Sequence, residues 1–383
     1  MEKLKVAVIG AGYWGPNLIR NFNSCPHTEI AAICDADQKR LDSVGRNYPN
    51  ARLVTSVDQL LELPIEAVAI ATPVSTHFPL ASRCLEAGKH VLVEKPLAAT
   101  TSEASALVEI ADRCGRVLMV DHTFLFGNPV RRIKQIVESG DLGEMLYVDS
   151  VRINLGLFQR DVNVIWDLAP HDLSIIDFVL GRNARSISAC GCGHVDSEIE
   201  DIAYVNVDFG DAMLANIHVN WLSPVKVRQM IFAGTRKSLI FNELNTQEPI
   251  KIYDRGIEVG ESPQNMEQRR RLLVNYRSGD ILSPNVESGE ALQAVVSHFA
   301  QCIREQQTPI SDGRLGLRVV RLLESATRSI RAQGGRVVLN NMVKGNGEAY
   351  ASAFRPGEWS ANRTEREGGD ERRDSLLRQP VRV

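Results

Sequence analysis

Short apolar runs separated by polar, periodic stretches organise the first 120 residues. Residues 5–9 (Lys-Val-Ala-Val-Ile) form a brief apolar, β-branched run that predicts a buried strand, and further strands are expected at 29–34, 67–71, 90–93 and 117–120. Between them the spacing predicts helices at 16–22, 41–48, 77–87 and 102–114. Pro16 falls early in its helix, where a missing N–H costs nothing, and Gly88 closes the helix that ends at Ala87. Repeated βα units of this kind imply a parallel, doubly wound sheet.

The pattern then changes. A helix is expected at 130–139, a strand at 145–154 and a helix at 173–180 that stops at Gly181. From residue 186 to 253 strands dominate, at 186–192, 203–209, 213–221, 225–233 and 238–241. Two of them are joined by the tight turn Phe209-Gly210-Asp211, which implies a hairpin and antiparallel pairing. Helices at 287–306 and 314–332 close this part. The fold class is therefore α/β: an N-terminal Rossmann domain over 1–122, then an α+β domain over 123–339 with a large, mostly antiparallel open sheet. Residues 340–383 lose the periodicity, and Gly, Glu and Arg dominate 363–373, so this tail is expected to be disordered, with a short docking motif as the alternative.

Composition narrows the functional classes. The 383 residues carry a net charge of −3, which implies no strongly basic face and argues against nucleic acid as a partner. No apolar run approaches the roughly 20 residues of a bilayer span, and the first residues lack a signal-peptide pattern, so no membrane association and a cytoplasmic location are expected. Seven scattered cysteines do not form a disulfide framework. Cys190, Cys192 and His194 alternate along one strand face, but a closed zinc site wants a fourth ligand, and none is spaced nearby; no metal is expected, and the stretch reads as small residues on a crowded strand.

The chemistry concentrates in three places. Gly10-Ala11-Gly12-Tyr13-Trp14-Gly15 fits G-x-G-x-x-G between a strand and a helix, a placement that favours a dinucleotide with its diphosphate at the helix N-terminus. Asp35 follows Gly15 by 20 residues, where a carboxylate accepts hydrogen bonds from the adenosine ribose and disfavours a 2′-phosphate. NAD is thus expected over NADP, a preference that Lys39 and Arg40 weaken slightly. Glu94-Lys95-Pro96 follows the fourth strand at the carboxyl edge of the sheet, although on its own Lys95 reads better as a surface lysine in a loop. Asp167 and His171 lie four apart in Trp166-Asp167-Leu168-Ala169-Pro170-His171-Asp172, hence on one face of a helical turn. Histidine suits acid/base work, and a nearby carboxylate can orient its ring and stabilise its charged form.

With these residues together, the sequence resembles the Gfo/Idh/MocA family, named for glucose–fructose oxidoreductase, inositol dehydrogenase and a rhizopine-catabolism protein. The resemblance covers about residues 4–335 and rests on Gly10–Gly15, Ala71-Thr72-Pro73 with His77, Glu94-Lys95-Pro96, the Asp167/His171 pair and Thr308-Pro309-Ile310-Ser311-Asp312-Gly313. It implies that Gly10, Gly12, Tyr13, Trp14, Gly15, Asp35, Arg40, Thr72, Pro73, His77, Glu94, Lys95, His122 and Trp166 surround NAD. It also implies that Lys95 and His171 are catalytic with Asp167 as partner, and that Lys95, Asn154, Asp167 and His171 meet the substrate; for Asn154 a capping role is an equal reading. The implied reaction is hydride transfer from a secondary hydroxyl whose proton His171 accepts while Lys95 steadies the oxygen. Family members act on sugars, inositols and nucleotide sugars and form dimers or tetramers through the open sheet. Residues 12–18, 166–172 and 276–281 resemble bacterial nucleotide-sugar 3-dehydrogenases, which act on the 3-hydroxyl of a UDP-N-acetylhexosamine or its uronate. A free-sugar or inositol dehydrogenase, a hydrolase that recycles tightly held NAD, and a non-catalytic NAD-binding regulator are the alternatives.

Overall fold

A computed structural model describes residues 2–156, 158, 159, 162–259 and 274–339. The expected disordered tail at 340–383 lies outside the described residues.

The first sheet has strands β1 (Leu4–Ile9), β2 (Thr28–Cys34), β3 (Arg52–Val54), β4 (Ala67–Ile70), β5 (His90–Glu94) and β6 (Leu118–Asp121). All pair in parallel, in the order β3-β2-β1-β4-β5-β6. Helices α1 (Gly15–Ser24), α2 (Gln38–Gly45), α3 (Val57–Leu61), α4 (His77–Glu86) and α5 (Thr101–Cys114) make the crossovers. The central strands are apolar on both faces because helices cover both; Val6, Ala67, Val68, Val91 and Leu92 are fully buried. The order reverses between β1 and β4, which opens a ligand crevice at the carboxyl ends of these strands. The sequence pattern missed β3 and α3, which are too short to show a period. It found α5 because the element carries its own signals: the Thr100 side chain caps the Glu103 N–H, and Gly115 terminates it at φ +60°.

The second sheet begins with β7 (Met145–Leu155), after α6 (Asn128–Glu138) and before the long α7 (Val164–Leu180). It continues with β8 (Ser186–Cys192), β9 (Ile202–Gly210), β10 (Met213–Asn220), β11 (Leu222–Gly234), β12 (Ser238–Asn242), β13 (Ile250–Val259), β14 (Val274–Leu282) and β15 (Val337–Val338). Among the described residues the order is β14-β13-β12-β11-β7-β10-β9-β8-β15, antiparallel except for β7 beside β10. Alternation along β7 places Val148, Ser150 and Arg152 on the covered face, while Tyr147 and Leu155 on the other face are exposed. The expected hairpin between β9 and β10 is present, with Gly210 at φ +81° and Asp211 at φ +52°.

Two helices return to the first sheet. Phe299 of α8 (Ala291–Glu305) packs edge-on against Phe22 of α1 at 6.3 Å. Just before α9 (Gly313–Arg331), the Ser311 hydroxyl donates to the Val120 carbonyl of β6 at 2.6 Å. One continuous apolar cluster consequently runs from Leu4, Leu18 and Phe22 through Val295 and Phe299 to Trp221 and Phe232. No helix among the described residues is long and apolar enough to cross a membrane.

The sequence pattern placed the start of α7 at residue 173. The helix starts nine residues earlier, at Val164, where the Asn163 side chain caps the Trp166 N–H at 3.1 Å, and it carries Pro170 inside it. The apolar side chains Ile165, Leu168 and Ala169 before the proline are buried, and their packing outweighs the one backbone bond that Pro170 cannot donate.

Candidate functional site

The glycine loop forms one wall of the crevice. An added Cβ at Gly10 would stand 2.5 Å from the Ala71 carbonyl oxygen, and Gly10 itself has φ +97°. A Cβ at Gly15 would meet the Gly10 oxygen at 1.9 Å, so both positions exclude side chains for the sake of the chain's own close approach. Gly12 differs: the nearest atom to an added Cβ is Arg40 Nη1 at 3.5 Å, which leaves its open side for a ligand. No side chain caps the start of α1 and no acidic residue sits in its first turn, so its N–H groups and positive dipole end are available to an anion. Beside the loop lies a cavity of about 650 Å³ lined by Gly10, Gly12, Tyr13, Trp14, Asp35, Arg40, Thr72 and Pro73. Tyr13 is 88% exposed above it, an apolar ring without cover. These features fit a dinucleotide.

Asp35 has a task the sequence did not reveal. Its carboxylate accepts from the Ala11 N–H at 2.7 Å and from the Asp37 N–H at 2.8 Å, bracing the glycine loop from inside. A carboxylate has about four acceptor sites, so two remain for a ribose. Arg40 stands over it, 3.8 Å from Asp35 and 3.6 Å from Asp37.

His77, expected against the cofactor, is instead a buried clasp. Its ring nitrogens lie 2.8 Å from the Pro96 carbonyl and 2.8 Å from the Thr72 carbonyl; burial lowers its pKa, and the neutral ring donates to one of these oxygens, so it sits between the Thr72-Pro73 turn and the Lys95-Pro96 segment with neither nitrogen open to a ligand. Trp166 donates its indole N–H to Thr327 of α9 at 3.0 Å and lines a recess with Val74 and Asn163.

Lys95 follows β5 directly. Its ammonium donates to the Asp167 backbone carbonyl at 2.8 Å and lies 3.4 Å from the Asp167 carboxylate. The expectation that Asp167 orients the His171 ring needs correction: its other carboxylate oxygen accepts from the Trp221 indole at 3.0 Å, and the carboxylate is committed to Lys95 and Trp221. His171, one turn further along α7, packs edge-on against Phe124 at 4.9 Å, and its Nδ1 is buried without a partner. Burial, then the charges of Lys95 and Arg152, push its pKa well below the ordinary histidine value, so the ring is a neutral base at neutral pH.

Further groups converge here. Both ring nitrogens of His122, just after β6, are buried and unpartnered, and burial with the Lys95 charge pushes its pKa down to about 3. Asn154 Oδ1 and Arg228 Nε are also buried without partners. Arg152 lies two residues before Asn154 on β7 and holds Asp172 through three bonds of 3.0–3.1 Å and Glu243 through one of 3.0 Å. Burial opposes its charge, but the two carboxylates more than offset this and hold its pKa above the ordinary value. Its guanidinium covers the Phe124 ring at 5.0 Å and fixes the ring that supports His171. Glu94 and Asp121 stand opposite each other across β5 and β6. Burial raises both carboxyl pKa values, and Glu94 Oε1 and Asp121 Oδ2 are each buried without a partner. Sequence reasoning missed Phe124, Arg152, Trp221 and Arg228; only Arg152 left a trace, as a charge on an inward position of an alternating strand. Among the described residues no group of three or more His, Cys, Asp or Glu side chains could hold a metal ion.

Residues 4–122 match an oxidoreductase family with an NAD-binding Rossmann fold, and residues 130–240 match the C-terminal domain of the same family. An uncharacterised oxidoreductase of Escherichia coli, YdgJ, is 33% identical over 64% of this chain and 73% of its own length. UDP-N-acetylglucosamine 3-dehydrogenase of Acidithiobacillus ferrooxidans is 27% identical over 84% of this chain and 95% of its own. A solved structure of that dehydrogenase superposes with a TM-score of 0.71 at 26% identity, covering 87% of this chain and 99% of the other. An NAD-dependent scyllo-inositol 2-dehydrogenase of Bacillus subtilis is 25% identical over 81% of this chain and 89% of its own. The chain belongs to the Gfo/Idh/MocA family of oxidoreductases, with an NAD-binding Rossmann domain.

Proposed function

We propose that the protein oxidises a secondary hydroxyl of a sugar in an NAD-dependent reaction, with the 3-hydroxyl of a UDP-N-acetylhexosamine or its uronate as the first substrate class to test. The observation that carries this reading is the set of unpartnered buried polar atoms around Lys95 and His171: His122 Nδ1 and Nε2 and His171 Nδ1, on rings that both feel the Lys95 charge, and Arg228 Nε, whose charge also reaches His171. A buried donor or acceptor without a partner costs about 1–3 kcal/mol, and a polyhydroxylated ligand supplies groups that donate and accept at once. The similarity to UDP-N-acetylglucosamine 3-dehydrogenase supports the nucleotide-sugar class; the similarity to an inositol dehydrogenase supports a free polyol as the second reading.

Gly10, Gly12, Gly15, Tyr13, Trp14, Asp35, Arg40, Thr72, Pro73, Glu94, His122 and Trp166 would surround the cofactor. When bound, the nicotinamide supplies the hydride acceptor. His171, neutral before reaction, takes the hydroxyl proton. Lys95 donates to the same oxygen and stabilises the charge that develops on it. Asp167, held by the Trp221 indole, keeps the ammonium at that point and balances its charge. Asn154 orients the sugar. We further propose a cytoplasmic protein that assembles as a dimer or tetramer through the exposed face of the second sheet.

The test is a screen of UDP-sugars, free sugars and inositols for NADH absorbance, repeated with NADP. Turnover of a UDP-N-acetylhexosamine or its uronate supports the proposal. Turnover confined to inositols or free sugars moves the assignment to the second reading, and no NADH from any polyol rejects both.

A further inference from the structure

Far along the chain from Lys95, a cysteine, a histidine and an aspartate stand in a relay. Cys192 ends β8 and is exposed; its Sγ lies 3.9 Å from His194 Nε2. His194 Nδ1 lies 2.8 Å from Asp201 Oδ1. The other Asp201 oxygen accepts the backbone N–H groups of His194 at 2.6 Å and Val195 at 2.9 Å. Asp201 is 1% exposed. Burial opposes its ionisation, but these hydrogen bonds outweigh it and hold its pKa below the ordinary carboxylate value. An ionised carboxylate only accepts, so the His194 proton sits on Nδ1 and the Nε2 lone pair faces the thiol.

The hairpin between Cys192 and Asp201 is built to hold this arrangement. Asp201 N–H donates to the Cys192 carbonyl at 3.1 Å, and Asp196 and Ile199 form a bridge within the turn. Gly193 has no room for a side chain, because a Cβ there would meet the Asp196 oxygen at 1.9 Å. The other charged groups of the hairpin are Asp196, Glu198 and Glu200; Glu198 and Glu200 line a neighbouring recess together with Arg331 of α9. The base of the hairpin is tied to the candidate active site: Val164 N–H of α7 donates to the Glu200 carbonyl at 2.9 Å, and Trp221 N–H to the Asp201 carbonyl at 2.9 Å.

We propose that Cys192 is an activated thiol, with His194 as its base and Asp201 as the positioning residue, and that it undergoes exchange with low-molecular-weight disulfides. His194 Nε2 takes the thiol proton. The thiolate attacks one sulfur of the disulfide, the new S–S bond forms as the old one breaks, and the departing thiolate leaves with the electron pair and accepts the proton from His194. Cys192 is oxidised to the mixed disulfide while the departing sulfur is reduced to a thiol, so the small disulfide is itself the oxidant, and a second exchange with free thiol reverses the step.

Cys190 is the internal control: it is exposed on the same strand two residues away, with no imidazole contact among the described residues. The intact protein is treated with oxidised glutathione, or with iodoacetamide for rate measurement, across mildly acidic to alkaline pH, and adducts on the 186–226 peptide are located by fragmentation. Cys192 is expected to react at least about tenfold faster than Cys190 near neutral pH. His194→Gln and Asp201→Asn should bring Cys192 down to the Cys190 rate while NADH binding persists; if Asp201→Asn does not fold, His194→Gln decides alone. Equal rates at Cys190 and Cys192, or a Cys192 rate unchanged by His194→Gln, overturns the proposal.

Discussion

The Lys95 ammonium and the Asp167 carboxylate lie 3.4 Å apart, one from the end of β5 and the other from α7, and they join the two halves of the molecule at the floor of the crevice. Asp167 thereby serves the lysine, and His171 is left an uncompensated neutral base. Lys95→Ala and His171→Ala are expected to lower kcat about 10²- to 10⁴-fold, the usual share of a proton-transfer or oxyanion-stabilising group. NADH binding by fluorescence should be retained in both. Near wild-type turnover in either variant would remove that residue from the mechanism.

The same reasoning extends to Trp221, whose indole N–H holds the far oxygen of Asp167 at 3.0 Å. Trp221→Phe keeps most of the ring volume but leaves that oxygen without its donor. Turnover should fall about tenfold, with NADH affinity changed by less than about twofold. A rise in the NADH dissociation constant with unchanged kcat would mean that the indole supports the cofactor and not the lysine.

Gly12 and Gly15 make opposite predictions. Gly15→Ala forces a Cβ within 1.9 Å of the Gly10 oxygen and should destabilise the fold itself, visible as a lower Tm. Gly12→Ala meets only the flexible end of Arg40 at 3.5 Å, so the folded protein should be unaffected and NADH binding lost. Gly12→Ala that binds NADH as wild type does would show that the diphosphate rests elsewhere.

Buried His122 links stability to pH. Its folded-state pKa is about 3 against an ordinary value of 6.5, so the unfolded chain takes up the proton first as acid is added. Its stabilising contribution is complete above about pH 6.5 and is lost as pH falls through about 3, at a slope of about 1.4 kcal/mol per unit. His122→Gln, which cannot titrate, should flatten the acid side of a plot of urea midpoint against pH by about one proton. Parallel wild-type and variant plots would contradict a neutral buried ring.

Groups whose signal is local were legible in the sequence. The glycine loop, Lys95 after β5, and the Asp167/His171 spacing each lie within a few residues of the element that positions them. Elements built by distant contacts were not legible: Arg152 and Arg228 come from two strands and Glu243 from the turn after a third, and Trp221 reaches Asp167 from 54 residues away. Asp35 and His77 were visible as residues but not in their tasks, because nothing local tells a carboxylate or an imidazole that its partners are backbone groups across a turn. The start of α7 was obscured by Pro170, where burial of a long apolar face overrides a local breaker.

The edge-on packing of Phe299 on Phe22 and the clasp of Ser311 on Val120 mean that the cofactor-binding half is completed by residues nearly 200 positions downstream of its last strand. A fragment cut at residue 122 would expose one side of α1 and of β6 to water. The early strands cannot reach their final burial until the closing helices arrive, so a chain emerging from the ribosome would hold an unfinished nucleotide pocket until Phe299 and Ser311 have been made.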